Sequence, residues 1–282
     1  MKIIADRQTL NHWMNGCAKE GERVGFVPTM GALHAGHLSL VREARKQCRR
    51  TIVSIFVNPT QFGPGEDFGH YPRTFEADRD LLEKAGCDAI FLPEVETIYP
   101  PGGQTVVAVE PLGSQLCGAA RPGHFQGVAT VVMILFNLVR PQVAYFGLKD
   151  YQQYTLIRQM VRDLAMPLEV VGVPTVRERD GLALSSRNRY LTEAERLQAS
   201  ALFRAMNRAQ DHYRKGESDP RQLEQSAREV LLESGIDRID YVAVREAETL
   251  QERECIETPP VILIAVRVGK ARLIDNMVLS LY

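Results

Sequence analysis

The chain of 282 residues carries 34 Lys and Arg against 35 Asp and Glu, so its formal net charge is −1, and 45% of its residues are hydrophobic. This composition is typical of a soluble globular protein with one large or two ordinary domains, and it excludes a disordered or low-complexity chain. The balanced charge disfavours a surface built to bind nucleic acid or an anionic membrane, so we expect neither as a partner.

The cysteines and the N-terminus indicate a cytoplasmic protein. The five cysteines are scattered and form no C-x-x-C pair, which disfavours a disulfide framework or a zinc ribbon. Charged residues interrupt the first stretch of the chain, which therefore lacks the apolar segment of a signal peptide. The longest apolar run, residues 128–139, is shorter than the roughly 20 residues that span a bilayer.

The first half of the chain alternates short apolar runs with segments of helical periodicity. The predicted strands lie at residues 24–28, 51–57, 88–92, 143–146 and 168–173. One predicted helix begins at residue 36, and three others lie at 75–85, 126–139 and about 151–164. Repeated strand–helix–strand units predict parallel strands joined by right-handed crossovers, hence a Rossmann-like, doubly wound parallel sheet of the α/β class. Ligands of such sheets bind beyond the carboxyl ends of the strands.

The sequence becomes more polar after Pro174, which predicts a second, smaller α+β domain at residues 176–282, following a first domain at 1–175. A polar stretch with an Asp180-Gly181 turn signal leads into this region. Thr192 and Glu195 form a capping-box pattern for one long helix reaching about residue 214. An Asp-Pro pair at 219–220 predicts a second helix ending near residue 235, and strands follow at 239–244, 261–268 and 272–279.

The segment Thr29-Met-Gly-Ala-Leu-His-Ala-Gly-His37 lies where the first predicted strand ends and a helix begins. A helix N-terminus offers unpaired N–H groups and a partial positive charge, both of which suit a phosphate. His34 and His37 are three residues apart, so both imidazoles can face the same phosphates. Two ordinary surface histidines are the alternative, as is a His-x-x-His metal site, which lacks a nearby Glu or third ligand.

The H-x-G-H motif resembles the signature of the nucleotidyltransferase superfamily related to class I aminoacyl-tRNA synthetases. Five ordered blocks resemble the pantoate–β-alanine ligases, or pantothenate synthetases: FVPTMGALHAGH, FVNPTQFGPGEDFGHYPRT, RPGHFQGVATVV, KDYQQ and LSSRNRYL. They extend from residue 26 to 191, and the remainder fits that family by length and by its helix–helix–strand pattern. The resemblance implies ATP-dependent condensation of pantoate with β-alanine through a pantoyl adenylate, with release of pyrophosphate and AMP.

The resemblance also implies site residues. It implies catalytic roles for His37, His34 and Lys149. Pantoate binding falls to Gln61 and Gln153, and β-alanine binding to Gln61. The implied ATP-binding residues are Met30, Gly31, Ala32, Leu33, His34, Ala35, Gly36 and His37, then Gly147, Leu148, Lys149 and Asp150, and finally Val176, Leu184, Ser185, Ser186 and Arg187.

Other residues in the blocks carry weaker signals. Leu148 stands where the family more often has Glu, so a main-chain contact there would survive but a side-chain role would not. Arg121 and His124, in a glycine-bearing loop, are candidates for closing the pantoate site. Tyr71 and Arg73 are candidates for lining the β-alanine route, and bracing of a loop is the alternative.

No carboxylate cluster marks a metal cage, so we predict no metal-ligating residue and expect Mg²⁺ to bind mainly through the ATP phosphates. Neither a P-loop nor a G-x-G-x-x-G motif is present. The resemblance implies a homodimer whose first domain binds ATP and pantoate and whose second acts as a lid. Two alternatives stay open: an adenylyltransferase that stops after moving AMP, and a nucleotide-binding module without catalysis.

Overall fold

The computed structural model describes residues 1–281, whose contacts divide them into two compact units. The first unit comprises residues 1–148 and 156–174. The second comprises residues 149–155 together with the chain from residue 175 onward. Among the described residues, no helix combines the length and the apolar character needed to cross a membrane.

The first unit contains six strands and most of the helices. The strands are β1 (Lys2–Ile4), β2 (Val24–Thr29), β3 (Arg50–Ile55), β4 (Ala89–Phe91), β5 (Val143–Gly147) and β6 (Glu169–Val173). The helices are α1 (Arg7–Lys19), α2 (Ala35–Gln47), α3 (Phe75–Lys84), α4 (Val95–Ile98), α5 (Cys117–Ala120), α6 (His124–Val139) and α7 (Tyr151–Asp163), which begins in the second unit. Short 3₁₀ helices cover Pro59–Gln61, Asp67–His70 and Leu148–Asp150.

The six strands form one sheet in the order β1-β4-β3-β2-β5-β6, and every pairing is parallel. The chain adds β3 and β4 on one side of β2, and then β5 and β6 on the other. The order therefore reverses between β2 and β5. In an open α/β sheet, such a reversal opens a crevice at the carboxyl ends of the two strands, where ligands bind. The predicted Rossmann-like sheet is confirmed.

The four inner strands, β4, β3, β2 and β5, are mostly buried, as apolar strands covered on both faces should be. On one face, Val27, Val53 and Ile90 of the central strands pack in a common core with Leu40 and Val41 of α2. Helix α6 is apolar nearly all round, and most of its residues are buried. Both helices contact β2, whose carboxyl end leads into the loop before α2.

The second unit is an α+β domain, in agreement with the predicted fold class. Its helices are α8 (Glu193–Ala199), α9 (Ala201–Arg214) and α10 (Pro220–Glu233), preceded by a 3₁₀ helix at Ser186–Tyr190. Its strands β7 (Ile239–Glu246), β8 (Pro260–Val268) and β9 (Ala271–Val278) form an antiparallel sheet in that order. Apolar residues of α9 and α10, including Leu202, Met206 and Leu223, share a core with Ile262 and Ile264 of β8.

Some predicted elements need correction. The capping box of Thr192 and Glu195 is confirmed, but the single long helix is wrong, because it is interrupted at Ser200. There the serine hydroxyl donates to the carbonyl of Leu197 at 2.8 Å, a local bond that competes with regular helix geometry. The strand predicted at 51–57 ends earlier, at Ile55.

Sequence reasoning missed β1 and α1. Strand β1 has three residues, too few to show a periodicity, and it is recognised only by its pairing with β4. Helix α1 did carry signals: Asp6 caps it by accepting the N–H of Thr9, and Leu10, Met14 and Cys17 recur on its buried face.

Candidate functional site

The loop between β2 and α2 lies at the carboxyl end of β2, beside the reversal of strand order. Its backbone enters the left-handed region twice, at Gly31 with φ of +84° and at Ala32 with φ of +50°. A Cβ on residue 31 would lie 3.1 Å from both Asp78 Oδ2 and Ile55 Cγ2. The left-handed φ favours glycine at this position, and a larger residue would also press on these two neighbouring side chains.

A buried carboxylate holds this loop. Asp78 of α3 is only 2% exposed, and its two oxygens accept the N–H groups of Ala32 at 2.9 Å and Leu33 at 2.8 Å. The Thr74 hydroxyl donates to the same carboxylate at 3.2 Å. These bonds satisfy two N–H groups that the sequence offered for a phosphate, and they stabilise the unusual φ of Ala32. The role of Asp78 was not foreseen from the sequence.

We expect Asp78→Asn to lower the free energy of unfolding by about 1.5–3 kcal/mol, the usual contribution of hydrogen bonds to a charged group. An amide has one acceptor oxygen, and its NH₂ group would face a loop N–H. Urea unfolding followed by circular dichroism measures the change. Asp80→Asn, on the same helix but with 58% of its side chain exposed, is the control and should have little effect. Equal midpoints for the two variants would contradict a role of Asp78 in holding the loop.

The two histidines of the motif cap α2 reciprocally. His34 is the N-cap residue, and its Nδ1 accepts the N–H of Gly36 at 3.2 Å. The Nδ1 of His37 accepts the N–H of His34 at 3.3 Å, and the two ring centroids are 4.2 Å apart. Because Nδ1 accepts in both rings, the neutral imidazoles carry their hydrogen on Nε2. Two Nε2–H donors thus occupy the helix N-terminus, where an anion is favoured.

Gln61 ends the 3₁₀ helix that follows β3, and its amide is oriented by a buried neighbour. Asn58, 1% exposed, donates from Nδ2 to Gln61 Oε1 at 3.0 Å and to the Gly127 carbonyl at 3.2 Å. Its own Oδ1 accepts the Tyr99 hydroxyl at 2.7 Å. Since Gln61 Oε1 is engaged, the amide presents its Nε2–H₂ group, which lies 3.2 Å from Met30 Sδ in the loop after β2. The structure therefore brings Gln61 and the histidine loop together.

Gly127 of α6 allows the helix to approach the main chain at residues 60 and 61. A Cβ at this position would lie 2.4 Å from the Thr60 carbonyl oxygen and 2.8 Å from the Gln61 nitrogen. We expect Gly127→Ala to destabilise the fold by about 1–3 kcal/mol through overpacking and to displace Gln61. Gly16→Ala in α1 is the matched control, since no described atom outside its own stretch of helix lies within 4 Å of its Cβ position, and it should be neutral or stabilising. Thermal unfolding compares the two variants, and equal effects would refute the steric argument.

Residues 148–153 follow β5. Gly147 ends the strand, and the 3₁₀ helix Leu148–Asp150 leads into α7. The Lys149 carbonyl accepts Asn276 Nδ2 at 2.8 Å, and Lys149 Nζ lies 4.0 Å from Asp150 Oδ1. Gln153 is half-buried near the start of α7. Nothing in these contacts depends on the Leu148 side chain in place of Glu.

The polar loop of the second unit has defined geometry. The Leu184 N–H donates to the Val176 carbonyl at 2.9 Å, so these two predicted site residues lie opposite each other across a turn at Asp180-Gly181. Ser185 caps the following 3₁₀ helix, because its Oγ accepts the Arg187 N–H at 3.2 Å. The segment therefore presents Ser185, Ser186 and Arg187 on one short helical turn.

Within the described part of the chain, no group of three or more His, Cys, Asp or Glu side chains is arranged to hold a metal ion.

Comparison with known proteins assigns a family to this arrangement of residues. The family model described as pantoate-beta-alanine ligase matches residues 2–278. The chain is 58% identical to the pantothenate synthetase of Magnetococcus marinus, over 99% of this chain and 96% of that protein. It is 51% identical to the pantothenate synthetase of Heliobacterium modesticaldum, over 99% and 100% of the two chains.

Solved structures agree with the sequence comparison. A pantothenate synthetase from Thermus thermophilus superposes with a TM-score of 0.92 at 49% identity, covering 98% of this chain and 99% of that one. A pantoate-beta-alanine ligase from Francisella tularensis, solved in complex with beta-gamma ATP and beta-alanine, superposes with a TM-score of 0.81 at 34% identity, covering 99% and 97% of the two chains.

Proposed function

This chain belongs to the pantoate–β-alanine ligase family, and from that premise we propose how its own residues condense pantoate with β-alanine at the expense of ATP. The observation that supports the mechanism best is the pair of reciprocally capped histidines at the start of α2. Their Nε2–H groups are donors held by the fold before any substrate arrives, and they lie where the strand order reverses.

The first step is an in-line displacement at the α-phosphorus of ATP. A pantoate carboxylate oxygen bonds to that phosphorus while its bond to the bridging oxygen of pyrophosphate breaks, which yields pantoyl adenylate. Negative charge builds on phosphate oxygens, so donors fixed in position lower the barrier without a covalent nucleophile. We assign this role to His37, with His34 and Lys149 as further donors.

The second step forms the amide. The amine of β-alanine attacks the acyl carbon of the adenylate, the bond from that carbon to the AMP oxygen breaks, and the amine loses a proton. We assign Gln61 to the binding of both pantoate and β-alanine, and Gln153 to the binding of pantoate. The oriented Nε2–H₂ group of Gln61 supports this assignment, because an amide nitrogen donates well to a carboxylate or a hydroxyl oxygen.

ATP contacts are proposed for three segments. In the loop after β2, the N–H groups of Ala32 and Leu33 already donate to Asp78, so the two imidazoles are the stronger candidates for phosphate binding there. After β5 and in the polar loop, the assigned residues are Gly147, Leu148, Lys149, Asp150, Val176, Leu184, Ser185, Ser186 and Arg187. Hydroxyls, an ammonium and a guanidinium in this set are suited to a triphosphate.

We propose that Mg²⁺ binds mainly through the phosphates of ATP. The described residues contain no metal cage of three acidic, histidine or cysteine side chains, which suits an ion held through phosphate oxygens and water. When bound, it would neutralise phosphate charge.

We further propose a homodimer in the cytoplasm, with residues 1–175 as the ATP- and pantoate-binding domain and 176–282 as the lid. Analytical ultracentrifugation tests the dimer, and titration with EDTA tests the need for Mg²⁺.

Pantoate-dependent exchange of labelled pyrophosphate into ATP tests the proposed function. Exchange that requires pantoate, followed by AMP and an amide product once β-alanine is added, is the expected result. Exchange without any amide product would favour an adenylyltransferase that stops after the first step. ATP binding with neither exchange nor AMP under full substrates would reject catalysis and leave a nucleotide-binding module.

A further inference from the structure

We infer that His124 is a positioning residue for pantoate, because it fixes the main chain of Gln61 and so the amide that receives this substrate. The inference rests on the proposed function, in which Gln61 binds pantoate. His124 opens α6, in the glycine-bearing loop that the sequence had marked only for closing the site.

The hydrogen bonds of His124 define its tautomer. Its Nδ1 lies 2.8 Å from the Gln61 carbonyl oxygen, and because a carbonyl oxygen can only accept, Nδ1 carries the hydrogen. Its Nε2 lies 2.9 Å from Arg121 Nη1, and because a guanidinium can only donate, Nε2 accepts. This is the opposite tautomer to that of His34 and His37. His124 therefore donates to Gln61 while a permanent cation holds the other side of its ring.

Arg121 is itself held by a carboxylate. Glu66 accepts Arg121 Nε at 2.7 Å and Nη2 at 2.6 Å, a forked pair, and it also accepts the Gly63 N–H at 3.2 Å. The bonds from the Arg121 guanidinium lower the pKa of Glu66, which keeps the carboxylate charged. Arg121 Nη2 also lies 3.3 Å from the Gln61 carbonyl. The chain of contacts thus runs from Glu66 through Arg121 and His124 to the main chain of Gln61.

The amide of Gln61 is oriented separately. Asn58 Nδ2 donates to Gln61 Oε1 at 3.0 Å and so restricts rotation of the Gln61 side chain. The position of Gln61 Nε2 therefore follows the position of the Gln61 main chain. With the His124 bond removed, the contact that remains to the carbonyl of Gln61 among the described residues is the longer one to Arg121. A shift of the order of 1 Å in a binding group can change a rate about 10²-fold, so a loosened Gln61 main chain should be visible in pantoate kinetics.

Three substitutions at one position separate the two bonds of the ring. In His124→Asn, the amide nitrogen can occupy the place of Nδ1 and donate to Gln61. In His124→Gln, the longer amide can accept from Arg121 but leaves the Nδ1 place empty. His124→Ala removes both bonds. His12→Asn, on the exposed face of α1, is the control.

The measurements are KM for pantoate, KM for β-alanine, kcat, and Kd for ATP by calorimetry, with thermal unfolding of each variant. We expect His124→Ala and His124→Gln to raise the pantoate KM by at least about tenfold, with a much smaller change in the ATP Kd. His124→Asn should recover most of that loss. If the alanine variant does not fold, the comparison of the asparagine and glutamine variants decides.

Equal pantoate KM values in the asparagine and glutamine variants would overturn the inference. So would a pantoate KM unchanged from that of the wild type in the alanine variant, or equal rises in all three ligand constants, which indicate a general structural defect. A wild-type chain without pantoate-dependent turnover would instead refute the proposed function, so the two failures are distinguishable.

Discussion

Replacing His37 with alanine should lower kcat and kcat/KM together by about 10²–10³-fold, the usual cost of removing one donor to charge that develops in the transition state. His37 Nδ1 accepts a main-chain N–H at 3.3 Å, so Nε2 carries the hydrogen that a phosphate oxygen would receive. Formation of AMP under full substrates, and pyrophosphate exchange with pantoate alone, measure the loss. Both assays should fall, because the first step is common to them.

Two further variants separate chemistry from helix capping. In His37→Asn, the amide oxygen can take the place of Nδ1 and keep the cap, but no donor reaches the place of Nε2. In His37→Gln, the amide nitrogen approximates Nε2. We expect the asparagine variant to be as slow as alanine and the glutamine variant to recover part of the rate. His12→Ala serves as the remote control. Wild-type turnover in His37→Asn would show that His37 acts only as a cap.

Replacing Arg177 with methionine should cost about 3–5 kcal/mol in the free energy of unfolding, because it leaves a buried carboxylate without its partner. Arg177 Nη1 and Nη2 contact Asp275 Oδ2 at 2.6 Å and Oδ1 at 3.0 Å, and the Asp275 side chain is 1% exposed. Arg177 also donates to the Gly181 carbonyl at 3.0 Å, and its guanidinium lies 4.8 Å from the centre of the Phe203 ring. Urea unfolding followed by circular dichroism measures the loss.

The control is a matched ion pair in the same unit. Arg253 Nη2 lies 3.0 Å from Glu246 Oε2, but the Arg253 side chain is 53% exposed, so Arg253→Met should cost only about 0–1 kcal/mol. The single Trp13 belongs to the first unit, so its fluorescence reports on the unfolding of that unit. If both methionine variants unfold at the same urea concentration, burial of the Asp275 carboxylate is not what makes the pair important.

The expected arrangement of elements followed from local patterns. Alternating apolar runs and helical periodicities predicted five of the six strands of the parallel sheet, and the prediction is confirmed by its topology. The capping box at Thr192 and the Asp-Pro start of α10 could be predicted because a helix terminus is determined by a few adjacent residues. The interruption at Ser200 was not predicted, because serine is tolerated inside helices and the bond of its hydroxyl to Leu197 is seen only in the folded chain.

The fold class, the place of the histidine motif at the end of a strand, and the family follow from residue types and short spacings alone. The folded chain defines which partners the atoms of those residues have. Asp78 lies 46 positions from Ala32, and His124 lies 63 positions from Gln61. No local pattern links such partners, since the crossovers between strands bring them together. The tautomer of each histidine follows from its partners, so the chemistry that each ring can perform can be inferred only from the folded chain.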